Sequence, residues 1–376
     1  MGFSKMITKY RADQVGSFLR PKELLDARRN PTLAPSELHA IEDRHILAVL
    51  DRQKQIGFKV FTDGELRRSS FMGDFYESVD GLDREQDVER TWKGGMPSVA
   101  VAKGVGAPAG AVVSKLRQTK RLTKDELDFL KKHAPGDIKM TLPTANQFPA
   151  IAYKKGVSER AYPTYSEFLW DIVPIMRAEI QALAQEGVKY IQIDAPRYSY
   201  YIDPKWRRHI YDEMGVDPDE ALDEAIRVDN ASLEGVKRDG VTIAIHLCRG
   251  NNRSQWYAEG GYDPIAEKLF TQLNVDLFLL EYESERAGTF EPLRFVPRGK
   301  SVVLGLISSK LPELEPQQHL LRRIDEASRY LPLENLRLSP QCGFASTMDG
   351  NLLSEDDQWR KLQLVVDTAR QVWKDA

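Results

Sequence analysis

The stretch VTIAIHLCRG, residues 241–250, sets the problem that the rest of the chain has to solve. Its β-branched and apolar run reads as a buried strand, and its end carries a histidine and one of only two cysteines in the chain. Successive side chains of a strand point to opposite faces, so His246 and Cys248, two positions apart, project from the same face. That makes them a pair of candidate metal ligands. Two ligands do not make a site, so the others must come from elsewhere.

Similar short runs recur along the chain, at 11–16 (RADQVG), 58–62 (FKVFT), 138–142 (IKMTL), 189–193 (KYIQI), 275–281 (VDLFLLE), 301–307 (SVVLGLI) and 335–339 (NLRLS). Helical periodicity separates them. Residues 36–56, 166–186 and 354–373 carry apolar stripes, with Ser166 and Ser354 as expected N-caps, and Thr123 with Glu126 reads as a capping box. Eight strands alternating with helices point to an α/β fold, a single (β/α)8 TIM barrel, in preference to a doubly wound sheet. Residues 80–120 break the rhythm, being rich in Gly, Pro and charge, and read as an inserted arm in a single catalytic domain spanning 1–376. Within that arm KGVGAPAGAVV has glycines at 104, 106 and 110, which miss the GxGxxG spacing by one and lack the strand-to-helix context of a dinucleotide site.

Bulk properties narrow the partners. The formal net charge of -3 over 376 residues gives no basic field for nucleic acid or an anionic membrane, so a small molecule is the expected partner. Neither a signal-peptide core at MGFSKMITKYRADQ nor an uncharged apolar run of membrane length appears, and the expectation is a soluble cytoplasmic protein, with oligomerisation left open. Two cysteines exclude a disulfide framework and leave metal ligands, nucleophiles or inert core residues.

Parallel barrels build their sites at the C-terminal ends of their strands. Following each run to its end gives Asp63, Gly64 and Glu65; Asp194; His246 and Cys248; Glu281; Ser308, Ser309 and Lys310; and Cys342. Both cysteines fall at that face, which chance placement rarely achieves. His246, Cys248, Glu281 and Cys342 offer one imidazole, two thiolates and one carboxylate, a donor set suited to tetrahedral Zn²⁺. Taken singly, Glu65 and Asp194 read equally well as helix caps or ion-pair partners. Histidines 39, 45, 133, 209 and 319 lack partners at ligand spacing, and Tyr198, Tyr200 and Tyr201 either line a pocket beside Asp194 or pack against one another in a loop.

In combination the motifs resemble the C-terminal, catalytic half of cobalamin-independent methionine synthase and its short single-barrel relatives. QVGSFLRP (14–21) is similar to that family's IGSF turn, DGEL (63–66) to its Gly-Glu, YIQIDAP (190–196) to its QIDEP, HLC (246–248) to its His-x-Cys, VDLFLLE (275–281) to its D-V-x-x-x-E strand, and SPQCGFAS (339–346) to its N-P-D-C-G segment. The resemblance implies a TIM barrel with Zn²⁺ held by His246, Cys248, Glu281 and Cys342. It implies that Ser17, Glu65 and Asp194 grip the amino-acid portion of homocysteine, the two acids facing its ammonium group. Three departures stand beside it. No counterpart of the family's N-terminal barrel is expected within residues 1–376, its folate-side motifs are not recognisable around KMTLPTANQF (139–148), and the histidine expected as general acid after strand seven is replaced by Ser308, Ser309 and Lys310.

The expected function is a zinc-dependent thiol methyl- or alkyltransferase that methylates homocysteine to methionine from a donor simpler than folate polyglutamate, a methylcobalamin- or methylfolate-type molecule. Lys310 is the one named candidate for a catalytic group in place of the missing histidine. Two alternatives stay open: alkyl transfer to or from another small thiol, as in epoxide opening or thioether cleavage, and a noncatalytic zinc-stabilised barrel that binds a metabolite.

Overall fold

A computed structural model describes residues 10–83, 93–94 and 110–376. The strands are β1 (Val60–Phe61), β2 (Val79–Asp83), β3 (Ala111–Gln118), β4 (Asp137–Pro143), β5 (Tyr190–Asp194), β6 (Thr242–Leu247), β7 (Leu277–Glu281), β8 (Ser301–Ile307) and β9 (Leu336–Pro340). Seven of them form one parallel sheet in the order β1-β4-β5-β6-β7-β8-β9, each joined to the next by helical segments. The sheet curls into a barrel. Ala12 makes a parallel bridge to Leu338 in β9, with Asp13 N donating to Leu338 O at 2.9 Å and Leu338 N to Arg11 O at 3.0 Å. On the other edge Thr62 Oγ1 donates to Gly16 O at 3.0 Å, and Phe18 N donates to Gly64 O at 3.0 Å. The segment from Arg11 to Phe18 thus fills the eighth position, between β9 and β1.

The expected strand at 11–16 pairs as a strand only at Ala12. Local hydrogen bonds take over the backbone there, as where Gln14 N donates to Asp13 Oδ1 at 2.8 Å. The expected strand at 58–62 shortens to Val60–Phe61 for the same kind of reason. The buried Gln53 side chain donates to Thr62 O at 2.8 Å and accepts from Thr62 N at 3.2 Å, intercepting the ladder. The other six expected strands are present within two residues of their expected ends.

Helix ends follow the same logic. Ser354 caps Glu355–Val372 in a full capping box with Asp357. Ser166, expected to cap 166–186, lies inside the helix Tyr165–Gln185, whose N-cap is Thr164, accepting from Glu167 N at 3.2 Å. The Ser166 hydroxyl goes to Glu224 instead. Thr123 and Glu126 do start Lys124–His133, but no capping box forms. Thr123 Oγ1 donates to Glu179 at 2.7 Å, and Glu126 receives Arg68 at 2.9 and 2.6 Å. Buried long-range partners outcompete the local ones.

The ends of the expected insertion at 80–120 form a two-stranded antiparallel ribbon, β2 with β3, from Val79 opposite Gln118 to Asp83 opposite Ala111. Gly104 and Gly106 lie outside the described residues. Lys93 bridges to Trp256 in the loop after β6. Among the described residues no helix is long and apolar enough to cross a membrane.

Alternation along the strands divides the apolar residues into two bodies. Ile191, Ile193, Ile243, Ile245, Phe278 and Leu280 face outward into the layer between sheet and helices. Val60, Tyr190, Ala244, Leu277, Leu279 and Val303 face inward and fill the barrel with Tyr10 and Val15. Below the mouth the interior turns polar. Lys139 Nζ pairs with Asp13 Oδ1 at 2.9 Å, and Tyr190 OH donates to Asp13 Oδ2 at 2.6 Å, all three side chains buried. Asp13 thereby ties the irregular first segment to β4 and β5. Asp13→Ala leaves Lys139 buried without its counter-charge and is expected to cost about 3–5 kcal/mol, read as a lowered urea midpoint; a loss below about 1 kcal/mol would mean that the pair does not hold the barrel closed.

Candidate active site

Parallel register sets the polar residues at one level. Asp194 at the end of β5 stands opposite His246 in β6, and the ladder continues beyond the strands with Thr144 N donating to Asp194 O at 3.0 Å and Ala195 N to His246 O at 2.8 Å. Glu281 ends β7 opposite Gly305 of β8, and Gln341 N donates to Ile307 O at 2.8 Å, which fixes the turn that carries Cys342.

The ligand atoms of His246, Cys248 and Cys342 lie within 4.8 Å of one another, and all three residues are buried. Neither ring nitrogen of His246 has a hydrogen-bond partner, and both cysteines are free. The Cys248 thiol shares its proton toward Cys342, which pulls the Cys342 thiol well below its usual range and pushes Cys248 well above it, burial adding to the rise. Burial works against a charge on His246, but the Cys342 sulfur, Asp194 and Glu281 outweigh it and raise its pKa.

Glu281 stands outside that three-residue group. Its Oε1 receives Arg286 Nε at 3.0 Å and Nη2 at 2.6 Å, and its Oε2 accepts from Arg249 N at 3.0 Å. Burial raises its pKa, yet Arg286, Arg249 and Lys310 overcome this and hold it below the ordinary value. Of the four expected ligands, three converge and the fourth is a buried, ionised neighbour locked to arginine.

Ser17, Glu65 and Asp194 line the same pocket as His246, Cys248 and Cys342, which encloses about 650 Å³ including its open mouth. Glu65 sits in a left-handed turn with φ of 56°; its amide donates to Asp63 Oδ1 at 2.9 Å, and its Oε1 accepts from Thr141 Oγ1 at 2.8 Å. Its Oε2 is buried with no partner. Burial pushes the Glu65 carboxyl up against the pull of Arg68 and Thr141. Asp194 receives Gln192 Nε2 at 2.7 Å, and burial lifts it to about 7 in spite of His246. A Cβ at Gly343 would stand 2.0 Å from Ser17 Oγ, so a side chain there would turn the serine hydroxyl out of its place.

The segment after β8 takes no place in the pocket wall. Lys310 Nζ donates to Asn251 Oδ1 at 2.7 Å, Gly250 O at 3.0 Å and Gln255 O at 3.4 Å. Ser309 Oγ donates to Gln341 at 2.8 Å and Gly343 O at 3.0 Å. Both residues tie the loops carrying Cys248 and Cys342 together. Histidines 39, 45, 133, 209 and 319 do not line the pocket. The tyrosines after Asp194 are packing residues: Tyr198 donates to Asp229 at 2.8 Å, and Tyr200 stacks on Trp206 at 4.2 Å. Arg197, Gln147 and Tyr257, which no spacing in the sequence singles out, do line it.

The family model for the catalytic domain of cobalamin-independent synthase matches residues 12–371. The uncharacterised Bacillus subtilis protein YxjH is 36% identical, over 97% of this chain and 95% of its own length. The methionine synthase of Pyrococcus abyssi is 24% identical, over 96% of this chain and 92% of its own. Among solved structures, a B12-independent methionine synthase from Shewanella sp. W3-18-1 in complex with selenomethionine superposes with a TM-score of 0.74 at 21% identity, covering 97% of this chain and 98% of that one, and so has the same fold.

The pocket acids weaken the fold at neutral pH. Asp194 is lifted to about 7 by burial, whereas an unfolded aspartate titrates near 3.9, so its contribution to stability is complete only below the unfolded value and is lost as pH rises through about 7. Asp194→Asn is expected to stabilise the ligand-free protein relative to wild type by on the order of 2 kcal/mol more at pH 8 than at pH 5. Urea unfolding at the two pH values measures this, and a difference that does not change with pH would show that Asp194 titrates normally.

Proposed function

The chain belongs to the cobalamin-independent synthase family, and on that premise we propose that it is a zinc-dependent transferase that methylates the sulfur of homocysteine, drawing the methyl group from a donor simpler than folate polyglutamate. One observation carries the reading: a buried cluster of one imidazole and two sulfurs shares its pocket with two buried carboxylates. Soft donors suit a metal and a thiol, and the acids suit an ammonium group.

The residues fit zinc by their chemistry. His246 brings two buried ring nitrogens without partners, and Cys248 and His246 pull the Cys342 thiol well below its usual range against burial. His246, Cys248 and Cys342 would hold the ion, with Glu281 as the oxygen donor of the set. Zinc supplies a Lewis acid that lets a thiol, ordinarily protonated at neutral pH, ionise and act as nucleophile. Arg286 and Arg249 keep Glu281 ionised at the edge of the cluster, where it would complete the donor set. Glu65 and Asp194 hold the ammonium group. An ammonium between them stabilises their ionised forms, so affinity for an amino acid rises with pH toward about 7, the value to which Asp194 is lifted. Val15, Phe71, Met72 and Tyr257 supply the apolar part of the wall that keeps water from the nucleophile. Ser308, Ser309 and Lys310 are spent on loop contacts, which favours a donor whose leaving group departs without a proton.

Incubating the metal-loaded protein with homocysteine and separate methyl donors, including methylcobalamin and methyltetrahydrofolate, tests the reading by the appearance of methionine; no methionine from any donor would leave another thiol or a purely binding role. Cys248→Ser and Cys342→Ser are expected to remove most of the one equivalent of zinc per chain while the far-ultraviolet spectrum stays native, and full occupancy in both would dismiss the metal assignment. Glu65→Gln and Asp194→Asn are expected to keep zinc and bind homocysteine about ten- to hundred-fold more weakly. Zinc loss with unchanged thiol affinity would exchange the roles of the two sets.

A further inference from the structure

We propose that Arg197 is a carboxylate receptor in the active-site pocket, an assignment that rests on the thiol-transfer reading and adds to it the group that recognises the anionic end of a substrate. Arg197 lines the pocket and is 2% exposed. All three of its guanidinium nitrogens are buried without a hydrogen-bond partner among the described residues. Its contacts are ring faces: the guanidinium carbon lies 4.4 Å from the centroid of Tyr200 and 5.4 Å from that of Tyr257. The ring faces hold the guanidinium by cation–π attraction and take none of its N–H groups.

Other fully buried arginines of the chain do not share this state. Arg68 is paired with Glu126 at 2.6 Å, and Arg249 gives its side chain to Gly260 O at 2.6 Å and Tyr262 OH at 3.2 Å. Arg337 also has two unpartnered nitrogens, but it lies beside Asp13, Tyr10 and Tyr190 inside the barrel and does not line the pocket. A buried cation without a partner is costly to the fold, and a ligand that supplies the missing anion removes that cost. Among the described residues lining the pocket, Arg197 is the one lysine or arginine, facing a cavity that otherwise carries Glu65 and Asp194. It follows Asp194 by three residues in the turn Pro196–Tyr201, yet no ion pair joins it to that aspartate, whose recorded partner is Gln192. Both charges are left for something else. A zwitterion satisfies them together, its ammonium at the acids and its carboxylate across two N–H groups of the fork.

The carboxylate has two sources, the α-carboxylate of the amino-acid thiol or one carried by the methyl donor, and they separate in a titration. Zinc-loaded wild type, Arg197→Met and Arg197→Lys are titrated calorimetrically with L-homocysteine, with 3-mercaptopropylamine, which is homocysteine without its carboxylate, and with 5-methyltetrahydrofolate. Zinc content and thermal midpoint of each variant check that the site is intact. For the thiol source, Arg197→Met loses about ten- to hundred-fold in affinity for homocysteine and none for 3-mercaptopropylamine, and Arg197→Lys, which keeps the charge without the fork, falls between. Unchanged homocysteine binding with a similar loss for 5-methyltetrahydrofolate places the carboxylate on the donor and also supports the receptor. Wild-type affinities for all three ligands in Arg197→Met overturn it. A wild-type protein that binds neither thiol overturns the transfer reading itself and this assignment with it, a pattern distinct from the failure of Arg197 alone.

Discussion

Everything at the mouth of the barrel depends on the parallel register that sets Asp194 beside His246. Parallel strands in register bring inward side chains of successive strands to common depths, so polar residues placed at strand ends meet whether or not they attract one another. Going upward through the barrel, Lys139, Tyr190 and Asp13 form the lowest charged layer. Thr141 meets Glu65 above it, Gln192 meets Asp194, and His246 meets the sulfurs at the top. Three groups along that line differ in how fully the protein engages them. Asp13 is fully engaged, Glu65 keeps one oxygen unpaired, and His246 has no partner for either nitrogen. Unpartnered groups that line the pocket are open to a ligand, whereas the two unpartnered nitrogens of Arg337 deeper in the barrel do not line it.

Holding two sulfurs, an imidazole and buried acids at one end of the barrel requires positive charge behind them. It comes from loops and not from strands. Arg286, five residues beyond Glu281, folds back on it; Arg249, next to Cys248, sends its amide to Glu281 and its side chain outward to Gly260 O and Tyr262; Lys310 anchors the 250–255 loop while its field favours the Cys342 thiolate. These cations do not enter the pocket. They bias its groups toward ionisation while leaving the inner surface free for ligands, which separates the work of stabilising charge from the work of recognising it.

Much of this was legible from strand ends. Parallel strands buried on both faces read as apolar runs, and the first polar residue after each run falls at the barrel mouth by topology alone. That placed Glu65, Asp194, His246, Cys248 and Cys342 in one cavity from spacing. What stayed illegible was decided by competition for hydrogen bonds. Gln53 consumes the ladder groups of Thr62, Glu179 takes the hydroxyl that Thr123 would have used as a cap, and Arg286 holds the carboxylate of Glu281 beside the sulfur cluster. In each case a residue distant in sequence or hidden in a loop offers a stronger, buried partner than the local one. Arg197 was hidden for the opposite reason: its meaning lies in having no partner, and a sequence does not display absent contacts.

That absence bears on selectivity. A pocket whose charges already neutralise one another can accept many ligands of the right shape, whereas one that keeps Glu65, Asp194 and Arg197 apart penalises any ligand leaving one of them unmatched. The penalty is larger than the gain from a single added contact, because an unmatched buried charge forfeits its desolvation without return. The stability given up to bury these groups separately, visible in the raised carboxyl of Asp194, is recovered only by a ligand that matches each of them. The surrounding α/β scaffold has the apolar interior and outer layer to absorb that loss.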